Sequence, residues 1–101
     1  MKLSDMWGKS PTYHFNSLHI IMSKVYYRRR IVDIRASIIR EKDAKKRDNE
    51  YYARAIRNAS STSSKASYRR SKISASASHD SRIESFKREL ERAKDALKRC
   101  R

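Results

Sequence analysis

Glycine, proline and cysteine each occur once in the 101 residues, as Gly8, Pro11 and Cys100. A single cysteine excludes an intrachain disulfide. From Thr12 to the C-terminus neither glycine nor proline appears, so a β-protein, which needs turn residues at short intervals, is excluded in favour of helix. Long apolar runs are also missing. The longest aliphatic run is Ile20-Ile21-Met22, far short of the roughly 18 residues of a membrane-spanning helix. Acidic residues are scarce, 11 against 26 Lys and Arg, which leaves a formal charge of +15 and a pI near 10.5. With 38% hydrophobic and 37% charged residues and a mean hydropathy of −0.97, the chain is poorer in apolar groups than an ordinary globular domain. So short a chain has little surface to bury against its ordering entropy. No enzyme with a pocket enclosed by its own core is expected, and no cofactor.

The opening residues Met1-Lys2-Leu3-Ser4-Asp5-Met6-Trp7-Gly8-Lys9 lack an uninterrupted apolar stretch, so a secretory leader is not expected. The first 27 residues contain no Arg and include Asp5, which fits a mitochondrial presequence poorly. An intracellular (cytoplasmic or nuclear) or virion-internal setting is the expectation.

What is present organises into four segments. Residues 1–16, with Trp7, Gly8, Pro11, Tyr13 and Phe15, show little periodicity and read as an irregular N-terminal arm. Residues 17–57 read as a long helix, because Tyr27, Ile31, Ile34 and Ile38 recur at +4, +3, +4, the spacing of one helical face. Glu41–Lys45, Asp43–Arg47 and Glu50–Arg54 stand at i,i+4 with the acid leading, the better order for exposed helical ion pairs. Residues 58–81 contain ten serines, with the run Ser60-Ser61-Thr62-Ser63-Ser64. Serine competes for backbone hydrogen bonds and favours caps and turns, so this segment reads as a linker whose second half becomes helical only if something packs on it. In residues 82–101, Ser81 and Glu84 match a capping box. Ile83, Phe86, Leu90, Ala93 and Leu97 then follow at 3-4-3-4, a narrow coiled-coil stripe.

A helix of about 20 residues is marginal in water unless its apolar stripe is covered. The nearest cover is the Tyr27–Ile38 stripe. The expected fold is therefore all-α: an antiparallel helical hairpin of residues 17–101 with a Ser-rich linker at about 58–81. The packing seam comprises Tyr27, Ile31, Ile34, Ile38, Ile83, Phe86, Leu90 and Leu97. A self-associated coiled coil is the rival arrangement.

Chemistry-bearing clusters are sparse. His14, His19 and His79 are isolated in sequence, and Cys100 lies at the far end of the chain, so the paired spacing of a zinc site is missing and no metal is expected. One glycine cannot build a phosphate-cradling loop. Cys100 sits between Arg99 and Arg101, cations that favour thiolate; a disulfide-linked dimer contact and an incidental exposed thiol are the two readings.

Charge carries the functional signal. Net charge is +2 over residues 1–27, +6 over 28–57, +3 over 58–81 and +4 over 82–101, so it does not come from one tail. Arg28, Arg35 and Lys42 repeat every seven residues, with Lys46 and Arg57 continuing that row. Arg29, Arg40, Arg47 and Arg54 form a second row. Phosphate contacts by such rows release counterions and give affinity without sequence reading, and Arg adds bidentate phosphate geometry and base stacking. Tyr26, Tyr27, Tyr51, Tyr52 and Tyr68 lie near arginines, a pairing suited to unpaired bases. The expected partner is nucleic acid, RNA ahead of DNA, bound through Arg28, Arg29, Arg35, Arg40, Lys42, Lys46, Arg47, Arg54 and Arg57. The alternative is a helical adaptor that docks its apolar seam and basic flank on an acidic protein. Two further readings have less behind them. Arg28-Arg29-Arg30 and Lys45-Lys46-Arg47 match nuclear-import patches, and Leu18, Ile21, Met22 and Val25 make a short apolar face of the kind that lies on anionic lipid.

Overall fold

The structure is a computed structural model and describes the backbone of residues 3–100 and the side chains of residues 18–100. Two helices account for nearly all of it: α1, Leu3–Asn58, of 56 residues, and α2, Thr62–Arg99, of 38 residues. They fold back on each other as an antiparallel hairpin, a rod of 90 × 18 × 14 Å. Among the described residues no helix is long and apolar enough to cross a membrane.

The reversal needs only Ala59, Ser60 and Ser61. The Ala59 amide still donates to the Ala55 carbonyl at 2.9 Å, continuing the α-helical pattern past Asn58. Ser61, in an extended conformation (φ −127°, ψ 153°), is the N-cap of α2, and its hydroxyl accepts from the Ser64 amide at 3.0 Å. A side-chain oxygen here satisfies one of the four amides that a helix start leaves without partners. No described residue has a positive φ, which is how a chain without a glycine in this region makes the turn.

Three expectations are corrected. α2 starts at Thr62, so the Ser-rich stretch expected as a linker to about residue 81 is helical apart from its first residues. Ser81 and Glu84 consequently lie inside a continuous helix, and the cap is Ser61 with Ser64. Contacts across the hairpin explain the change. Ser76 Oγ donates to Asn49 Oδ1 and Lys45 to Asp80, and such tertiary contacts outweigh the modest intrinsic cost of serine in a helix. Third, α1 begins at Leu3 and not near Ser17, so the backbone of the expected irregular arm is helical from Leu3. Lack of periodicity removed a packing face from that stretch without imposing a break. Its side chains lie outside the described residues.

The core is thin and lies towards the end of the hairpin away from the turn. Ile31, Ile34, Ile38, Ile83 and Ala93 are buried, and Phe86, Leu90 and Leu97 pack partly buried against them. Ile34 is the most enclosed, with 2% of its surface exposed. Tyr27, half-buried, sets its ring edge-on to Tyr26 with centroids 5.0 Å apart. The 3-4 spacing of this seam does not stop at Ile38. It runs on through Glu41, Lys45, Asp48 and Tyr52, none fully exposed, and on α2 the stripe extends back from Ile83 to His79 and Ser76. The seam therefore has an apolar half and a polar half.

Candidate nucleic-acid interface and the polar layer beneath it

Glu41, Lys45 and Asp48 occupy seam positions one or two turns apart, so each points toward α2. His79 of α2 inserts between the two acids. Its Nδ1 is 2.6 Å from Glu41 Oε1 and its Nε2 is 2.6 Å from Asp48 Oδ2. Both ring nitrogens thus face carboxylate oxygens, and both donate when the ring is an imidazolium. Arg82 Nε donates to the same Glu41 oxygen at 2.6 Å. Its Nη2 lies 3.3 Å from His79 Nδ1, a close approach of two donors that share one acceptor. Lys45 donates to Asp80 at 2.7 Å and Ser76 Oγ to Asn49 Oδ1 at 3.0 Å. Towards the open end, Arg30 reaches Glu89 at 3.4 Å. Among the described residues no buried side-chain nitrogen or oxygen is left without a partner.

This layer sets proton affinities. Hydrogen bonds to Asp48 and then Glu41 raise the His79 pKa above its ordinary value near 6.5, against the opposing effect of burial. The Arg82 hydrogen bond, followed by that of His79, lowers the Glu41 carboxyl below its ordinary range. With both ring nitrogens engaged and the ring buried, His79 has no open edge for a substrate. It fastens one helix to the other. Its two carboxylates stand on opposite edges of the ring, and among the described residues no group of three or more His, Cys, Asp and Glu is placed to hold a metal ion.

The polar layer redistributes the ion pairs expected along α1. Glu41 pairs with Arg82 and His79, not with Lys45, which goes to Asp80. Asp43–Arg47 and Glu50–Arg54 do not close to ion-pair distance among the described residues. Interhelical partners take Glu41 from Lys45, while Asp43 and Glu50 are exposed.

All nine expected nucleic-acid-binding residues are exposed: Arg28, Arg29, Arg35, Arg40, Lys42, Lys46, Arg47, Arg54 and Arg57. Measured from the 3.5-residue seam, Arg28, Arg35 and Lys42 lie on one shoulder of α1. Arg40, Arg47 and Arg54 lie on the other, about 150° round, with Arg29, Lys46 and Arg57 on the back between them, which corrects the expected rows: Lys46 and Arg57 do not continue the Arg28 row, and Arg29 does not share that of Arg40. Within each row the spacing is about 10.5 Å. Only Arg29 among the nine meets a carboxylate, Asp33 at 3.4 Å on an exposed surface; Arg40 donates to Ser37 Oγ at 3.1 Å. Tyr51 stands exposed between Arg47 and Arg54, edge-on to the half-buried Tyr52 with centroids 5.1 Å apart. The sequence reading missed His79, Arg82, Lys45 and Asp80, whose roles exist only across the hairpin.

Comparison with known proteins found no matching family model, no matching curated protein and no matching solved structure.

Proposed function

We propose that this protein is a non-catalytic, basic helical module that binds nucleic acid, RNA in preference to DNA, through phosphate contacts along the outward face of α1. One observation carries the reading. Seven acidic residues, Asp33, Glu41, Asp48, Asp80, Glu84, Glu89 and Glu91, are already engaged in ion pairs. The exposed cations Arg28, Arg35, Lys42, Lys46, Arg47, Arg54 and Arg57 meet no carboxylate among the described residues. A surplus of aligned, uncompensated charge is held out on a rigid rod, and a polyanion is the ligand that satisfies it along its length. From Arg40 to Arg57 the outward face spans about 26 Å, enough to follow several phosphates. Exposed Tyr51 between two arginines favours a strand with accessible base faces, which is the reason for placing RNA first.

The adaptor alternative, as framed from the sequence, loses its docking surface. Ile83, Phe86, Leu90 and Leu97 pack on Ile31, Ile34 and Ile38 of the same chain, so that seam is occupied.

Filter binding of a single-stranded and a duplex RNA over a salt series tests the proposal. With about five phosphate contacts, log K against log salt falls with a slope near −4 to −5 for duplex and about −3.5 for single strands. No retention of either RNA or DNA at low salt rejects it.

A further inference from the structure

A second 3-4 pattern runs along α1 on the side turned away from α2. Leu18, Met22, Val25, Val32, Ala36 and Ile39 fall at +4, +3, +7, +4, +3, with Arg29 filling the one position between Val25 and Val32. Leu18, Val25, Val32 and Ile39 are exact heptad repeats of one another, and they are exposed by 46%, 59%, 59% and 60%; Met22 is exposed by 70%. Isolated exposed aliphatic residues need no explanation, but an exposed set in heptad phase on one line does. The stripe ends at Ile39, since the next positions in phase are Asp43 and Lys46. It lies on the opposite side of the helix from the seam that α2 covers, so the hairpin cannot satisfy both.

We infer that this outer stripe is a docking seam for an acidic amphipathic helix of another protein, which would add a second two-helix coiled coil over residues 18–39 on the side of α1 away from α2. The narrowness of the stripe selects a helix as occupant. Exposed Ile21 and Tyr26 widen the apolar face over its first two turns, but a membrane surface buries a broad apolar face along a whole helix, and from Arg29 to Ile39 this one narrows to the two-in-seven seam of a coiled coil. Charge selects the partner's sign. In the heptad frame of the stripe, Arg28, Arg35 and Lys42 occupy the flanking positions on one side, where coiled coils set partner choice through salt bridges. Arg29 stands within the stripe itself, where a single polar residue fixes register. An antiparallel second copy of this chain would bring these same cations against one another across the seam, and a copy in either orientation adds a further formal +15; Glu or Asp at the partner's flanking positions meets them. The apolar positions stop at Ile39, before most of the Arg40–Arg57 stretch; Arg28, Arg35 and Lys42 belong to both faces, so the two ligands would compete for that flank, while the apolar seam itself does not depend on the nucleic-acid proposal.

The test uses the full chain and a synthetic 28-residue helix with Leu at both seam positions and Glu at every flanking position. Titration calorimetry and sedimentation should give one peptide per chain, and a peptide with Lys at the flanking positions should bind at least about a hundredfold more weakly. The variant Val25→Ser/Val32→Ser/Ile39→Ser removes apolar surface without altering charge. It should keep its helicity, because these side chains are exposed, and bind the acidic peptide at least about tenfold more weakly. The charge swap Arg28→Glu/Arg35→Glu should move the preference to the Lys-flanked peptide, which tests the same geometry if the Ser variant folds poorly. Equal binding by the Ser variant would reduce the effect to bulk charge attraction and overturn the inference. So would a dimer of the chain alone that the Ser variant abolishes, or flotation with phosphatidylserine vesicles that depends on the stripe. Unchanged RNA retention by the Ser variant, alongside lost peptide binding, separates this seam from the phosphate-binding face.

Discussion

His79 Nε2 stands 2.6 Å from Asp48 Oδ2 across the hairpin, while the other ring nitrogen meets Glu41 at the same distance. One side chain of α2 thus bridges two acids a heptad apart on α1. The polar half of the seam is held by a histidine between two carboxylates where the apolar half is held by isoleucine.

The bridge makes hairpin stability depend on pH in a stated direction. The His79 pKa is raised in the fold, so its contribution is fully present below its unfolded value, near 6.5, and is lost as pH rises through the raised folded value. The Glu41 pKa is lowered, so its contribution is present above its unfolded value and is lost as pH falls through the lowered one. Melting followed by circular dichroism should therefore show the highest Tm in the mildly acidic range. His79→Ala should lower Tm more at pH 6 than at pH 9. An equal loss at both values would mean that the ring acts by packing alone.

Enclosure differs along the apolar half, and mutational cost should follow it. Ile34→Ala, at the most enclosed position, should cost about 2–5 kcal/mol. Leu90→Ala, only partly buried, should cost less. Urea melts of the two variants rank them, and a larger loss at Leu90 would place the core elsewhere.

Ser61 starts α2, and Ser61→Ala should cost about 1 kcal/mol through loss of the bond from the Ser64 amide. Amide exchange should show protection from about Lys65 onward, where the backbone first donates within the helix. Rapid exchange throughout residues 65–81 would restore the linker reading.

For the nucleic-acid face, Arg40→Gln/Arg47→Gln/Arg54→Gln should flatten the salt slope for RNA by about 2–3 and leave helicity intact, because all three side chains are exposed and pair with no carboxylate. An unchanged slope would exclude this shoulder of α1 as the contact surface.

The apolar half of the hairpin was readable because Ile31, Ile34 and Ile38 announce their spacing against polar neighbours, as Ile83, Phe86 and Leu90 do. The polar half was not. Glu41, Lys45 and Asp48 continue the same spacing but resemble a solvated face, and nothing local distinguishes an acid that faces water from one that faces a histidine. His79 is 38 residues from Glu41 and 31 from Asp48, so its pairing is purely tertiary. A usable signal did exist. Counting back in heptad phase from Ile83 through His79 and Ser76 to Lys72 shows that the stripe begins well before Ser81, which argues against a cap there. Serine content pulled the other way, because propensity is summed over residues without regard to the partners, such as Asn49 for Ser76, that α1 supplies across the hairpin. The exposed positions of the nine cations followed from their absence from the seam; their distribution over two shoulders and the back needed the position of α2.

The buried isoleucines lie towards the open end, far from Ala59–Ser61, while no residue of either helix next to the turn is fully buried. The peptide connection is therefore a tether more than a structural member: it raises the effective concentration of one helix near the other but makes little of the interface. Cleavage of the backbone at Ser60 should leave two fragments that remain associated as a noncovalent pair. Their affinity for each other would then measure, free of chain connectivity, what the isoleucine clasp and the histidine bridge contribute together.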